Sequence, residues 1–359
     1  MGEEKANTIQ PATLFPILGQ QPVGIARLAA ESEPADAGHL VEFRTMSPRS
    51  LLNRSDSKRM NWMTWTINPY RGCEFGCRYC YARYTHEFIH PVESDTSDNP
   101  ALDLFEREIY IKQNAAWLLR QELRQVRHDE YIGLGTATDP YQPIERRARV
   151  TRSILEVFAE QQGFRLGIVT KSTLIERDID LLQRISARNR LTVCLTITTP
   201  DARLARILEP RAPRPDLRFR TVTRLREAGL RVGILCSPLM PGITDTARAL
   251  DAMARRASKS GACFFASQPL FLKPCSRPVF LRFIREHFPE LEPSYARRYG
   301  ERDFVTKAYQ ERISAMVRAV VSKHGLNQRF ADDPLPERKP VWPLQVELWP
   351  RAAQPARSA

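Results

Sequence analysis

Residues 68–84 read NPYRGCEFGCRYCYARY and place three of the chain's seven cysteines, Cys73, Cys77 and Cys80, in one loop. The gaps between them are three residues and then two. Spacing this tight lets a single loop wrap soft thiolate donors around a metal centre. Gly72 and Gly76 stand just before the first two cysteines and permit sharp bends there. A closed zinc site takes four ligands, and a four-iron cluster held wholly by protein takes four cysteines. The loop offers three, and the next cysteine is Cys194. Two centres fit. One is a Cys3His zinc knuckle completed by His86 or His90, in a non-catalytic nucleic-acid-binding protein. The other is a four-iron cluster with one iron left open for a small molecule.

The rest of the chain can bury a sizeable core, with 359 residues, 42% of them hydrophobic and 26% charged. No apolar run is long enough to span a bilayer. The opening MGEEKANTIQ is acidic and lacks an apolar signal core, so a cytoplasmic location and no membrane partner are expected. An odd number of cysteines, three of them clustered, argues for metal chemistry over a disulfide framework. Lys and Arg number 54 against 41 Asp and Glu, a net charge of +13. Such an excess favours polyanionic partners such as nucleic acid. An arginine-rich proteome would account for it as well.

Residues 1–58 show little periodicity and are interrupted by Pro11, Pro16, Pro22 and Pro34. They are expected to form an irregular N-terminal arm. Residues 63–67 (MTWTI) favour a strand that delivers the cysteine loop. Residues 91–100 are polar and read as a loop. Ile109, Ala116, Leu119, Leu123 and Val126 predict a helix over 104–126. Strands are then expected at 131–134, 165–169, 191–198, 230–236 and 262–266, with helices at 150–162, 179–188, 215–228 (ending at Gly229) and 244–260. Six strands alternating with helices predict a parallel α/β sheet with right-handed crossovers. Six βα units fall short of a closed eight-stranded barrel, so the fold expected is a partial (βα)6 TIM-like barrel. In such folds the loops after the strand ends carry the chemistry. Helices at 279–287 and 304–324 lie outside the repeat, and a Pro-rich tail with Trp342 and Trp349 closes the chain. The division expected is an arm at 1–58, a core at 59–275, a helical extension at 276–331 and a tail at 332–359.

The spacing C-x3-C-x2-C with Tyr79 before the last cysteine resembles the radical S-adenosylmethionine (radical SAM) enzymes. Together with GTATDPYQPIE at 135–145, it resembles the branch that includes spore photoproduct lyase and its uncharacterised relatives. The resemblance implies a [4Fe-4S] cluster on Cys73, Cys77 and Cys80 whose open iron binds SAM. One electron then cleaves SAM to a 5′-deoxyadenosyl radical that takes hydrogen from a substrate. It also implies a reductant such as ferredoxin or flavodoxin. Thr138 and Asp139 correspond to positions that hold the SAM amino group, and a hydroxyl and a carboxylate suit an ammonium donor. Lys171 corresponds to a lysine that meets the SAM carboxylate as a point charge. Thr196 and Thr198 lie where the family reads the SAM carboxylate and ribose, and residues 239–242 where it packs the adenine. Tyr79 matches the family aromatic, and Tyr81 a tyrosine near the radical-transfer path.

One departure bears on the reaction. The lyase uses a cysteine two residues before its SAM-binding serine as the final hydrogen donor. Here that position is Thr136, whose O–H bond is too strong for the task. Cys194 and Cys236 lie in or at the end of strands and either could face the barrel. Basic residues recur as Arg146, Arg147, Arg149 and Arg152 and again as Arg211, Arg214, Arg218 and Arg220, to contact phosphates or to solvate helix faces. The expectation is a radical SAM enzyme, lyase- or transferase-like, whose substrate candidates include nucleic acid.

Overall fold

The computed structural model describes residues 23–37, 41–55, 63–90 and 103–328. The polar stretch 91–100 and the Pro-rich tail lie outside them. The strands, in chain order, are β1 (Glu33–Ala37), β2 (Glu42–Met46), β3 (Leu52–Arg54), β4 (Trp65–Ile67), β5 (Tyr70–Arg71), β6 (Glu108–Lys112), β7 (Tyr131–Leu134), β8 (Arg165–Thr170), β9 (Arg190–Thr196), β10 (Val232–Leu235) and β11 (Phe264–Ala266).

Seven of these form one sheet in the order β11-β10-β9-β8-β7-β4-β3. Six run parallel, from β4 to β11, and β3 pairs antiparallel at the edge. The order does not close on itself, so the sheet is the open, partial (βα)6 barrel expected. Alternation along each strand separates two faces. Ile132, Leu134, Leu166, Ile168, Val193, Leu195, Val232 and Ile234 are fully buried in one core. That core also holds apolar residues of the helices Val150–Glu160, Ile179–Ser186, Pro215–Glu227 and Ala247–Lys259. Each such side chain stabilises the fold by roughly 1.5–3 kcal/mol. The opposite parity is smaller or more polar and includes Tyr131, Gly167, Val169, Cys194, Thr196 and Leu235, which line a cavity inside the barrel.

Two stretches depart from expectation. The described residues of the segment 1–58 are not irregular: they carry the helix Gly24–Ala30 and strands β1 to β3. Residues 104–126 are not one helix but a turn of helix at Leu104–Arg107, strand β6, and a helix at Ala115–Glu122. Helical spacing holds only for the last part. The β-branched Ile109 and Ile111 instead join β6 to distant partners, parallel to β2 and antiparallel to β5. The resulting sheet, β1-β2-β6-β5, ends on the strand that opens the cysteine loop.

After the barrel come the helices Arg277–His287, Glu292–Tyr299 and Lys307–His324, of which the second was not foreseen. Phe280, Phe283, Ile284, Tyr295 and Tyr299 form a second core with Cys73, Phe75, Cys77 and Tyr79. The helices Arg277–His287 and Glu292–Tyr299 therefore pack behind the cysteine loop, whereas Lys307–His324 joins the barrel core through Ile313 and Val320.

Candidate active site

The cysteine loop is shaped by contacts that demand glycine at two positions. Gly72 has φ +82°, and a Cβ there would lie 2.5 Å from the Glu108 carbonyl and 2.9 Å from that of Phe105. Gly76 has φ +62° and faces the Arg211 guanidinium, 3.1 Å from where its Cβ would be. The Cys73 amide donates to the Phe105 carbonyl at 2.9 Å. Gln142, fully buried, accepts from the Glu74 amide at 2.8 Å and donates to the Gly72 carbonyl at 3.3 Å. Thr138 donates to the same carbonyl at 2.6 Å. The loop after β7 thus clamps the loop after β4.

Nine of the ten residues expected at the site line a single cavity of about 290 Å³. They are Cys73, Cys77, Cys80, Tyr79, Tyr81, Thr138, Asp139, Lys171 and Thr196. Asp139 Oδ1 accepts from Thr170 at 2.6 Å and from the Tyr141 amide at 2.9 Å, while Oδ2 accepts from the Lys171 amide at 2.7 Å. Oδ2 keeps acceptor capacity for one more donor. Burial raises the Asp139 carboxyl above its usual range, against these hydrogen bonds. Lys171 sets its ammonium over the Tyr79 ring, 5.8 Å from the centroid. Burial opposes the Lys171 charge, but Cys77, Glu209 and Asp139 outweigh it and hold its pKa above the usual lysine value. Tyr81 donates to the Thr136 carbonyl and packs on Phe271 at 5.3 Å.

Thr198 does not line the cavity. It lies past the end of β9, with its hydroxyl 2.9 Å from both the Tyr79 phenol and Glu209 Oε1. The chain turns away from the barrel there, so strand alternation no longer aims the side chain. Residues 239–242 also stay behind the wall, which Ser237 and Pro238 form instead; Leu239 and Met240 are fully buried. Of the other cysteines, Cys194 lines the cavity, whereas Cys236 donates to the Thr198 carbonyl at 3.5 Å.

The three thiols fit a metal group that takes soft donors. Burial, then the charges of Asp139, Cys77 and Cys80, raises Cys73. Burial pushes Cys77 up to about 12 against Lys171, and raises Cys80 against Arg83 and Lys171. The thiols feel one another's charge, so they ionise together only around a positive centre. The zinc alternative finds less support. His86 and His90 turn to the Glu108 carbonyl and carboxylate, at 3.1 and 2.8 Å.

Sequence reasoning passed over Gln142, Glu209 and Arg218. Gln142 sits inside the quoted phrase 135–145, which was the available signal. Arg218 was grouped with surface arginines, yet it is 1% exposed and pairs with the equally buried Glu209 at 2.5 Å. Arg152, from the other basic group, pairs with Asp178 at 2.5 Å.

An open (βα)6 barrel with a cysteine loop at its mouth defines a class. Residues 67–253 match the Radical SAM superfamily, and the chain belongs to it. An uncharacterised protein of Mycobacterium bovis is 30% identical over 332 residues, covering 92% of this chain and 94% of its own. Another, of Methanocaldococcus jannaschii, is 27% identical over 226 residues, covering 63% and 77%. A structure of spore photoproduct lyase aligns with a TM-score of 0.56 at 17% identity over 79% of each chain. One with bound AdoMet and dinucleoside spore photoproduct aligns at 0.57 and 15%, again over 79% of each. At such identities the likeness is one of fold.

Proposed function

We propose that this protein holds a [4Fe-4S] cluster on Cys73, Cys77 and Cys80, cleaves SAM reductively and abstracts hydrogen from a substrate. The observation that carries this reading is convergence. Three thiols, one hydroxyl, one carboxylate and one ammonium reach a single cavity from the loops after β5, β7 and β8. When bound, the cluster supplies the electron that opens SAM, and the protein orients and shields that chemistry. Asp139 Oδ2 and the Thr138 hydroxyl accept from the SAM amino group. Lys171 pairs with the SAM carboxylate, and Thr196 meets the carboxylate or ribose. Tyr79 forms the wall beside Cys80, and Tyr81 stands on the path toward the substrate. A ferredoxin or flavodoxin supplies the electron. Among the described residues no helix is long and apolar enough to cross a membrane.

The net charge of +13 and the dinucleoside ligand of the fold neighbour favour nucleic acid as substrate. Thr136, at the lyase's donor position, argues against the same lyase reaction. The test is anaerobic reconstitution with iron and sulfide, then reduction with SAM present. Iron and sulfide at four per chain and formation of 5′-deoxyadenosine are expected. A colourless protein that retains zinc and makes no 5′-deoxyadenosine would establish the zinc-knuckle reading instead.

A further inference from the structure

Behind the Tyr79 ring lies a closed set of charges that the proposed chemistry does not use. Glu209 is 2% exposed and Arg218 1%. Arg218 gives Nη2 to Glu209 Oε2 at 2.5 Å, Nε to the Pro213 carbonyl at 2.7 Å and Nη1 to the Thr196 carbonyl at 3.0 Å. That leaves Glu209 Oε1 for the Tyr79 phenol, which donates to it, and for the Thr198 hydroxyl at 2.9 Å. On the cavity side of the same ring sits the Lys171 ammonium, 5.8 Å from the centroid. Carboxylate, phenol and ammonium therefore form one line of contacts, the carboxylate on the hydroxyl at the ring's edge and the ammonium over the ring's face.

The line has a physical consequence. A phenol that donates to a carboxylate is polarised and carries more negative charge on its ring. A richer ring face attracts a cation more strongly, and desolvation strengthens that attraction. We propose that Glu209 is a positioning residue that acts through Tyr79 to seat the Lys171 ammonium where a ligand carboxylate meets it. Arg218 keeps Glu209 charged and in place, and its hold on the Thr196 carbonyl ties the end of β9 to the same unit. This inference rests on the reading that Lys171 pairs with the SAM carboxylate. It goes beyond that reading by naming what aims the lysine.

The experiment uses the anaerobically reconstituted holoprotein and two ligands. S-adenosylhomocysteine carries the amino-acid carboxylate, and 5′-methylthioadenosine lacks it. Affinities are measured for the parent and for Lys171→Ala, Tyr79→Phe, Glu209→Gln and the Lys171→Ala/Tyr79→Phe double variant, at equal iron loading. Tyr79→Phe keeps the ring but removes the polarised hydroxyl, so it should weaken S-adenosylhomocysteine about two- to threefold, a part of what a whole cation–π contact contributes. It should leave 5′-methylthioadenosine unchanged, and the double variant should bind no worse than Lys171→Ala alone. Should Glu209→Gln fail to fold through loss of the buried pair, Tyr79→Phe alone decides. Equal weakening of both ligands by Tyr79→Phe, or of neither while Lys171→Ala weakens S-adenosylhomocysteine, would overturn the positioning role and leave the Lys171 reading intact. An unchanged affinity in Lys171→Ala would overturn the underlying reading and the inference with it.

Discussion

Buried thiols that face one another ionise together only if something positive sits among them, and Cys73, Cys77 and Cys80 are in that position. Cys77→Ala should therefore lose iron and all 5′-deoxyadenosine formation, whereas Cys263→Ala, remote from the cavity, should keep both. Parent-like turnover by anaerobically reconstituted Cys77→Ala would remove the cluster from this loop. His86 makes a second prediction at this scale. It is 3% exposed, and its Nδ1 is buried without a hydrogen-bond partner. Burial, with Arg71, His90 and Arg83 adding to it, lowers its pKa from 6.5 to about 3. The unfolded chain thus takes up a proton below pH 6.5 that the folded chain refuses until about pH 3. Stability is full above the unfolded value and is lost as the pH falls toward the folded one. Between pH 7 and 5 the loss should be roughly 1–2 kcal/mol, read from urea unfolding of the parent and of His86→Gln. The same pH dependence in both proteins would show that His86 is not its source.

The element that organises the site is the cysteine loop, and its shape depends on β6 as much as on its own residues. The Gly72 backbone passes so close to the Glu108 and Phe105 carbonyls that no Cβ fits. Gly72→Ala adds left-handed strain to that clash and should destabilise the fold by roughly 2 kcal/mol or more. Iron loading should fall along with the melting temperature. A variant that loads iron fully and melts like the parent would mean that the small sheet does not set the loop. Gln142 and Thr138 hold the other side of the same peptide. The loop is thus gripped between two sheets, with the helices Arg277–His287 and Glu292–Tyr299 packed behind it.

For the molecule as a whole the net charge of +13 favours a polyanion, and salt separates phosphate binding from substrate recognition. Phosphate contacts alone would make binding fall steeply with salt, by about 0.9 in log–log slope for each phosphate neutralised on duplex DNA. A substrate should behave differently and raise the rate of SAM cleavage. The measurement is 5′-deoxyadenosine formation with single-stranded DNA, duplex DNA or RNA, at low and near-physiological salt. Stimulation by one polymer that survives physiological salt is the outcome expected of a nucleic-acid substrate. Binding that vanishes with salt and never stimulates would make the charge a background property. Arg218 and Arg152 belong to neither outcome, because each is tied to a carboxylate of the fold and adds nothing to the net excess.

Local signals in the sequence were enough for the barrel and for most of the site. Each of the six parallel strands is a short apolar or alternating run followed by a helix, and both patterns arise among neighbours in the chain. The cysteine spacing is equally local, and strand-end position together with the family resemblance pointed to Thr138, Asp139 and Lys171, which line the cavity. What the sequence could not disclose depends on partners far apart along the chain. The sheet β1-β2-β6-β5 is built from strands of two to five residues, with too little periodicity to read, and β6 joins it to β2 and β5 across long separations. Glu209 and Arg218 look like solvated charges until the fold closes over them. Thr198 follows the strand pattern in sequence, but the chain bends after Thr196 and delivers its hydroxyl to Tyr79 instead. Side-chain alternation is a property of one strand, whereas the desolvation that turns a charge pair into a fixed part of a site exists only in the assembled molecule.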